Sequence, residues 1–183
     1  MTREVAYPGP LLIFRAVWLA LAAVLLASAA PARSPGTDAR AGIEAFAKHC
    51  FSPRMTAAKA REVFNFANVR HDFYDLDPFT SAPPSPATDR AATPGTDRRC
   101  EISFGGDFTS DATRAVTARL ESEGITTPAD LPATHARLRT KGTALLAARR
   151  LNPRKIAVVH VGTRAGPHGL ETFLNVERLR SPQ

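Results

Sequence analysis

The chain has 183 residues, 44% of them hydrophobic, and it carries a formal net charge of +7. This length is typical of one domain that can bury a core, and the sequence shows no internal period that would indicate a repeat architecture. Of its 24 basic residues, only Lys48, Lys59, Lys141 and Lys155 are lysines, and the arginines are scattered along the chain. Scattered basic residues do not indicate a nucleic-acid partner, and we expect none.

The N-terminus has the three parts of a secretory signal peptide. Arg3 and Arg15 supply positive charge, an apolar segment follows at 17–26, and small residues fill much of 27–32. Positive, apolar and small-residue regions in this order are recognised by the export machinery and its peptidase. We therefore predict a signal peptide at residues 1–32.

The small-x-small pattern allows cleavage before Ala30 or before Arg33. The exported part would then be a single domain at residues 33–183, located in the periplasm or outside the cell. The alternative is an uncleaved anchor in which apolar residues 11–14 lengthen the segment, because 17–26 alone falls short of the roughly 20 residues that span a bilayer. After cleavage we expect no stable transmembrane segment.

Cys50 and Cys100 are the two cysteines of the chain. In an oxidising compartment two cysteines in a small domain usually pair. A redox pair would need a C-x-x-C spacing and a structural zinc site would need four close ligands, and the sequence has neither. We predict a disulfide, which would stabilise the fold by about 4 kcal/mol through the loop that it closes.

The first predicted elements form a helical hairpin. Apolar residues recur every three or four positions in 38–50 and in 56–67, with Asp38 and Thr56 placed to cap the two helices. A strand is predicted at 69–76, where Val, His and Phe alternate with polar residues.

The composition of the chain changes at residues 77–99. Five prolines fall at 78, 83, 84, 86 and 94, among Ser, Thr, Ala and Asp. Such a segment cannot bury enough apolar surface to offset the entropy of ordering it, so we predict a long exposed loop.

The remaining pattern indicates an antiparallel sheet with one more helix. The segment at 143–149 fits either a strand or a helix, because Ala and Leu favour a helix in isolation. Early helices without a regular β-α-β alternation are typical of the α+β class: an N-terminal helical hairpin and a further helix packed on a mainly antiparallel sheet. The predicted elements are a strand at 100–104, a helix at 110–123, and a pair of strands at 155–163 and 170–179 that follows a turn at 152–153.

Four polar residues near the start of the predicted loop are a candidate site. His71, Asp72, Asp75 and Asp77 lie close in sequence, and imidazole with carboxylates can bind a divalent cation or run acid–base chemistry. On a strand, His71 and Asp75 share one face, while Asp72 lies on the other. The alternative is a solvated strand end without such a role.

Arg149, Arg150, Arg154 and Lys155 surround the turn at 152–153. Four cations around one turn could bind a phosphate or a carboxylate-bearing glycan. The alternative is again a solvated hairpin end. The patch would suit an anionic component of the cell envelope.

The sequence segments CFSPRMT at 50–56, DFYDL at 72–76, RRC at 98–100 and LNPRKIAV at 151–158 resemble a group of small exported proteins of proteobacteria. The group has a signal peptide, two cysteines and no established activity. The resemblance implies export and a disulfide, and it assigns no functional residues.

No nucleophile elbow, zinc-protease motif, phosphate loop or dinucleotide fingerprint occurs in the sequence. We therefore expect a binding or structural role at the cell envelope, without a cofactor. The alternative is a small hydrolase, with or without a metal, that uses the region of His71 and Asp75.

Overall fold

The computed structural model of the protein describes residues 34–87 and 90–180. The predicted signal peptide at 1–32 lies outside the described residues. Within them, helices and one antiparallel sheet give the α+β class that the sequence predicts. The helices are α1 (Pro35–His49), α2 (Ala57–Val63), α3 (Thr109–Ser122) and the single turn α4 (Ala133–Ala136). The strands are β1 (Arg70–Asp75), β2 (Thr96–Gly105), β3 (Pro128–Ala129), β4 (Thr143–Asn152), β5 (Lys155–Gly166) and β6 (Gly169–Arg180).

The sheet has the strand order β1-β2-β6-β5-β4-β3, and every neighbouring pair is antiparallel. The predicted hairpin of 155–163 with 170–179 is present as β5 and β6, and β4 forms a second hairpin with β5. The β4–β5 turn closes at Asn152 and Lys155, and the β5–β6 turn closes at Gly166 and Gly169. Gly169 has a φ of 107°, which a residue with a side chain rarely adopts.

The main core lies between the helices and one face of the sheet. In α1, Ile43 and Phe46 are buried as the apolar spacing predicts. Gly42 allows a close approach, because a Cβ there would lie 3.2 Å from Val69 and 3.5 Å from Ile102. A larger side chain at residue 42 would push α1 away from the sheet.

Cys50 and Cys100 form the predicted disulfide, with their Cα atoms 5.6 Å apart. Cys50 follows α1 directly, and Cys100 lies in the middle of β2. Both cysteines are buried in the main core. The bridge therefore attaches the end of α1 to an inner strand of the sheet.

Three helix boundaries differ from the predictions. The helix predicted at 56–67 already ends at Val63. Ser34, rather than Asp38, caps α1, and its hydroxyl accepts a hydrogen bond from the backbone N–H of Thr37. Asp38 is instead buried in the first turn, where it accepts a 2.8 Å hydrogen bond from Asn68. The helix predicted at 110–123 begins earlier, because α3 starts at Thr109 and Ser110 therefore lies inside it and does not cap it.

Strand boundaries differ as well. β2 begins at Thr96, so the last four residues of the predicted loop at 77–99 belong to the sheet. The ambiguous segment at 143–149 is part of strand β4, since pairing with β5 overrides the helix preference of its alanines and leucines. The short β3 and α4 were not expected from the sequence.

Candidate anion-binding site

The face of the sheet away from the main core carries charged side chains. In β2, Cys100 and Ile102 point into the main core, so Arg99 and Glu101 point to the opposite face. Arg99 and Glu101 are nevertheless buried. Segments outside the sheet must therefore cover this face.

Strand register brings five polar residues together on that face. Glu101 of β2, Asn175 of β6 and His160 of β5 stand side by side across three strands. In the next row of the sheet, Arg99 is paired with Glu177. All five line one cavity of about 470 Å³, a volume in the range of small-molecule sites.

Two segments cover this cavity, one at 90–94 and one at 138–140. Arg99 holds the first segment, because its guanidinium donates to Thr93 Oγ1 at 2.6 Å and to the carbonyl of Ala91 at 3.2 Å. His135 of α4 holds the second, since its Nε2 lies 2.7 Å from Glu177 Oε2. The cover of the cavity is therefore attached to its floor.

Glu177 connects the floor of the cavity to both covering segments. Its carboxylate accepts hydrogen bonds of 2.7 Å from Arg99 Nε and from the hydroxyl of Thr93, in addition to the contact with His135. Burial alone would raise the pKa of Glu177, but the hydrogen bonds with His135, Arg99 and Thr93 lower it to about 2. The carboxylate is thus ionised at neutral pH.

Arg70, Arg90 and Arg164, which we call the arginine cluster, lie beside this cavity. Arg90 donates two hydrogen bonds to Glu101, to Oε1 at 3.0 Å and to Oε2 at 2.5 Å. Arg164 also contacts Glu101 Oε1, at 2.9 Å, and its Nε donates to Glu171 at 2.7 Å. Arg70 binds the other oxygen of Glu171.

The arginine cluster presents positive charge to solvent. The side chains of Arg70, Arg90 and Arg164 are 56%, 43% and 36% exposed. The carboxylates that hold them are buried, with Glu101 7% and Glu171 6% exposed. A ligand that approaches this surface therefore meets guanidinium groups first. The positive charges of the three arginines are nearly balanced by the carboxylates beneath them.

The cluster lines a second cavity of about 480 Å³. This cavity shares Arg90, Glu101 and Arg164 with the first. Burial lowers the pKa of Arg164, but Glu101 and Glu171 raise it further, so the net shift is upward. Arg164 is therefore a permanent cation at the junction of the two cavities.

Phe173 supplies an apolar wall. The guanidinium carbon of Arg164 lies 4.9 Å from the centroid of its ring, and the ring of His160 packs edge-on at 4.7 Å. Burial lowers the pKa of His160, so its imidazole is neutral at pH 7. The Nε2 of His160 is 3.1 Å from the hydroxyl of Thr143.

The predicted metal site at His71 and Asp75 has a different environment. The ring of His71 lies 5.8 Å from that of Phe64, and the carboxylate of Asp75 is held by Arg178 at 2.8 Å and by Arg98 at 3.5 Å. In the described ranges, 34–87 and 90–180, no group of three or more His, Cys, Asp or Glu residues is placed to hold a metal.

The other two acidic residues of that constellation lie apart. The carboxylate of Asp72 is 3.1 Å from Arg99 Nη1, on the face of the arginine cluster. Asp77 instead pairs with Lys155 at 2.6 Å, and this pairing lowers the pKa of Asp77. Strand alternation thus places His71 and Asp75 on one face of β1 and Asp72 on the other, whereas Asp77 lies beyond the end of the strand.

The structure separates the four cations of the 152–153 turn. Arg149 and Arg150 are adjacent in β4 and therefore point to opposite faces. Lys155 is neutralised by Asp77 and by Asp97, whose carboxylate lies 3.0 Å away. Arg150 and Arg154 remain exposed. A role of this turn in anion binding stays a prediction.

The sequence contained a signal for part of the arginine cluster. Arg164 and Glu171 lie the same distance from the turn at 166–169, so the predicted hairpin already pairs them. Arg90 gave no signal, because it lies in an irregular segment whose position depends on tertiary contacts.

Comparison of the chain with family models, curated proteins and solved structures gives no significant match. Among the helices of the described residues, none is long and apolar enough to span a membrane.

Proposed function

We propose that the protein is an exported domain that binds an anionic ligand of the cell envelope at the arginine cluster. The observation that carries the proposal is the layering of charge at this surface. Arg70, Arg90 and Arg164 are exposed, whereas the carboxylates of Glu101 and Glu171 lie buried beneath them.

Guanidinium chemistry supports this proposal. The planar group matches the two oxygens of a carboxylate or phosphate, and it carries five N–H donors. Arg164 contacts Glu101 through Nη1 and Glu171 through Nε. Because Glu101 and Glu171 already restrain these side chains, an anion that binds them meets a preorganised site with a reduced entropy cost.

Export is supported by two features of different kinds. The N-terminal sequence has the pattern of a signal peptide, and Cys50 and Cys100 form a disulfide in the core. Structural disulfides persist in oxidising compartments and are rare in the cytosol. An envelope location would also give the arginine cluster access to the carboxylates and phosphates of envelope molecules.

The turn at 152–153 supports anion binding less well than the arginine cluster. Lys155 is already paired with two carboxylates, and Arg149 and Arg150 point to opposite faces. The hydrolase alternative is also supported less well, because two arginines hold the carboxylate of Asp75. Binding at the arginine cluster is therefore the function that we put forward.

Titration calorimetry at low salt tests this proposal with phosphate, citrate and polygalacturonate as probe anions. Arg70→Gln and Arg164→Gln should each weaken binding roughly tenfold or more, since a hydrogen bond to a charged group contributes about 1.5–3 kcal/mol. Arg114→Gln is the matched control, because Arg114 is 73% exposed on α3 and pairs there with Asp111.

Binding should also weaken as salt is added, because ions screen exposed charges. Wild-type protein that binds none of the three probes would refute the proposal. The same conclusion would follow if Arg164→Gln and Arg114→Gln bound the probes equally well.

A further inference from the structure

Asn175 has a buried acceptor without a partner. The residue is 7% exposed and lines the first cavity, and its Oδ1 atom makes no hydrogen bond within the described part of the chain. A buried polar atom without a partner is costly, so native structures rarely keep one without a reason. A ligand that donates a hydrogen bond would supply the missing partner.

Asn175 lies next to the anion site. It is directly opposite Glu101 in the strand register, and such neighbours have Cβ atoms about 5 Å apart. Arg90 and Arg164 both converge on Glu101 Oε1. The guanidinium groups of Arg90 and Arg164 and the side chain of Asn175 thus line the same cavity.

The cavity also limits the size and the character of the ligand. Its volume of about 470 Å³ lies in the range of small-molecule sites. Phe173 and Leu138 give its wall apolar surface, against which a short carbon skeleton can pack. The neutral ring of His160 adds no charge to the floor.

Building on the proposed function, we propose that the ligand is a small oxyanion that carries its own N–H or O–H donor. Its carboxylate or phosphate binds Arg90 and Arg164, and its donor, a few bonds away, binds Oδ1 of Asn175. Hydroxy acids, amino acids, sugar acids and sugar phosphates have this chemistry.

Matched pairs of compounds test the inference by calorimetry on the folded protein. The pairs are lactate with propionate, gluconate with hexanoate, and glycerol 3-phosphate with propyl phosphate. In each pair the hydroxylated member should bind wild type roughly three- to tenfold more tightly, the expected effect of one hydrogen bond. The carboxylate and phosphate pairs together identify which oxyanion the site prefers.

Asn175→Leu removes the acceptor while keeping a side chain of similar size. This variant should lose the preference for the hydroxylated member and keep its affinity for the other member. If Asn175→Leu does not fold, nuclear magnetic resonance of the wild type replaces it. The side-chain amide signal of Asn175 should then shift more with lactate than with propionate.

Several results would overturn the inference but leave the proposed function intact. One is arginine-dependent binding without any preference within the pairs. Another is a preference that persists in Asn175→Leu, or an Asn175 signal that shifts equally with both members. A third is binding of polygalacturonate without binding of any small anion. Absence of binding to every anion would instead refute both proposals.

Discussion

Arg99 and Glu177 face each other on neighbouring strands, and Arg99 Nε donates a 2.7 Å hydrogen bond to Glu177 Oε1. Their side chains are 2% and 1% exposed. A buried ion pair contributes little net stability, because both charges lose their hydration, but loss of one partner leaves the other charge unpaired. The pair therefore specifies how segment 90–94 and α4 attach to the sheet.

Glu177→Gln should lower the free energy of unfolding by about 3–5 kcal/mol, since it leaves the guanidinium of Arg99 without its main counter-charge. Urea unfolding followed by circular dichroism measures this change. Glu121→Gln on the exposed side of α3 is the control, with an expected change within about 0.5 kcal/mol. Equal stability of the two variants would contradict the role given to Glu177.

The pH dependence of stability should also report on Glu177. Its pKa falls from an ordinary value of 4.5 to about 2 in the folded protein, so the ionised form favours folding. This contribution, roughly 3 kcal/mol, is complete above about pH 4.5 and is lost as the pH falls towards about 2. Urea unfolding at a series of pH values should show this loss in wild type and not in Glu177→Gln. Parallel pH profiles would show that the carboxylate is not stabilised in this way.

The disulfide should be a major source of stability. The double variant Cys50→Ala/Cys100→Ala should lose about 2–5 kcal/mol, because the bridge restricts the unfolded chain and both sulfurs lie in the main core. The matched control is wild type unfolded with reductant, which should lose a similar amount. Two thiols that titrate in unreduced, unfolded wild type would contradict the disulfide.

Export should leave a shortened chain. We expect mass spectrometry of protein from its native compartment to show a start at Ala30 or Arg33, after the small residues that fit a cleavage site. Intact Met1 recovered in a membrane fraction would instead support the uncleaved anchor.

The exposed arginines of the 152–153 turn allow a comparison of two anion sites. Arg150→Glu with Arg154→Glu should leave the free energy of unfolding within about 0.5 kcal/mol, because both side chains are on the surface. If anions bind at the arginine cluster, this double variant should lose less affinity for the probe anions than Arg164→Gln does. A larger loss of affinity in the double variant than in Arg164→Gln would show that the anions bind at the turn.

Local pattern was sufficient to predict most of the fold. The apolar spacing around Ile43 and Phe46 predicted α1, and the strand pattern at 155–163 and 170–179 predicted the hairpin of β5 and β6. Thr56 caps α2 as expected, with its hydroxyl accepting from Lys59 N–H. These features depend on neighbours in sequence, which is why a single sequence reveals them.

The site depends on contacts between distant residues. Arg70 of β1 meets Glu171 of β6 only because both strands lie beside β2 in the sheet. Arg90 meets Glu101 only because the irregular segment at 90–94 lies over the face of β2. In sequence, Arg90 is one arginine among many. The same limit applies to Glu177, whose partners come from the segment at 90–94, from β2 and from α4.

The position of β6 has a consequence for how the protein is made. This strand, Gly169–Arg180, lies in the interior of the sheet between β2 and β5, although it comes last among the described strands. β2 therefore lacks one of its two neighbours until residues 169–180 have been synthesised. Long-range pairing of this kind slows folding. An incomplete chain would stay open during synthesis, in the unfolded form that the proposed export would require, and the sheet would close only once the last strand is available.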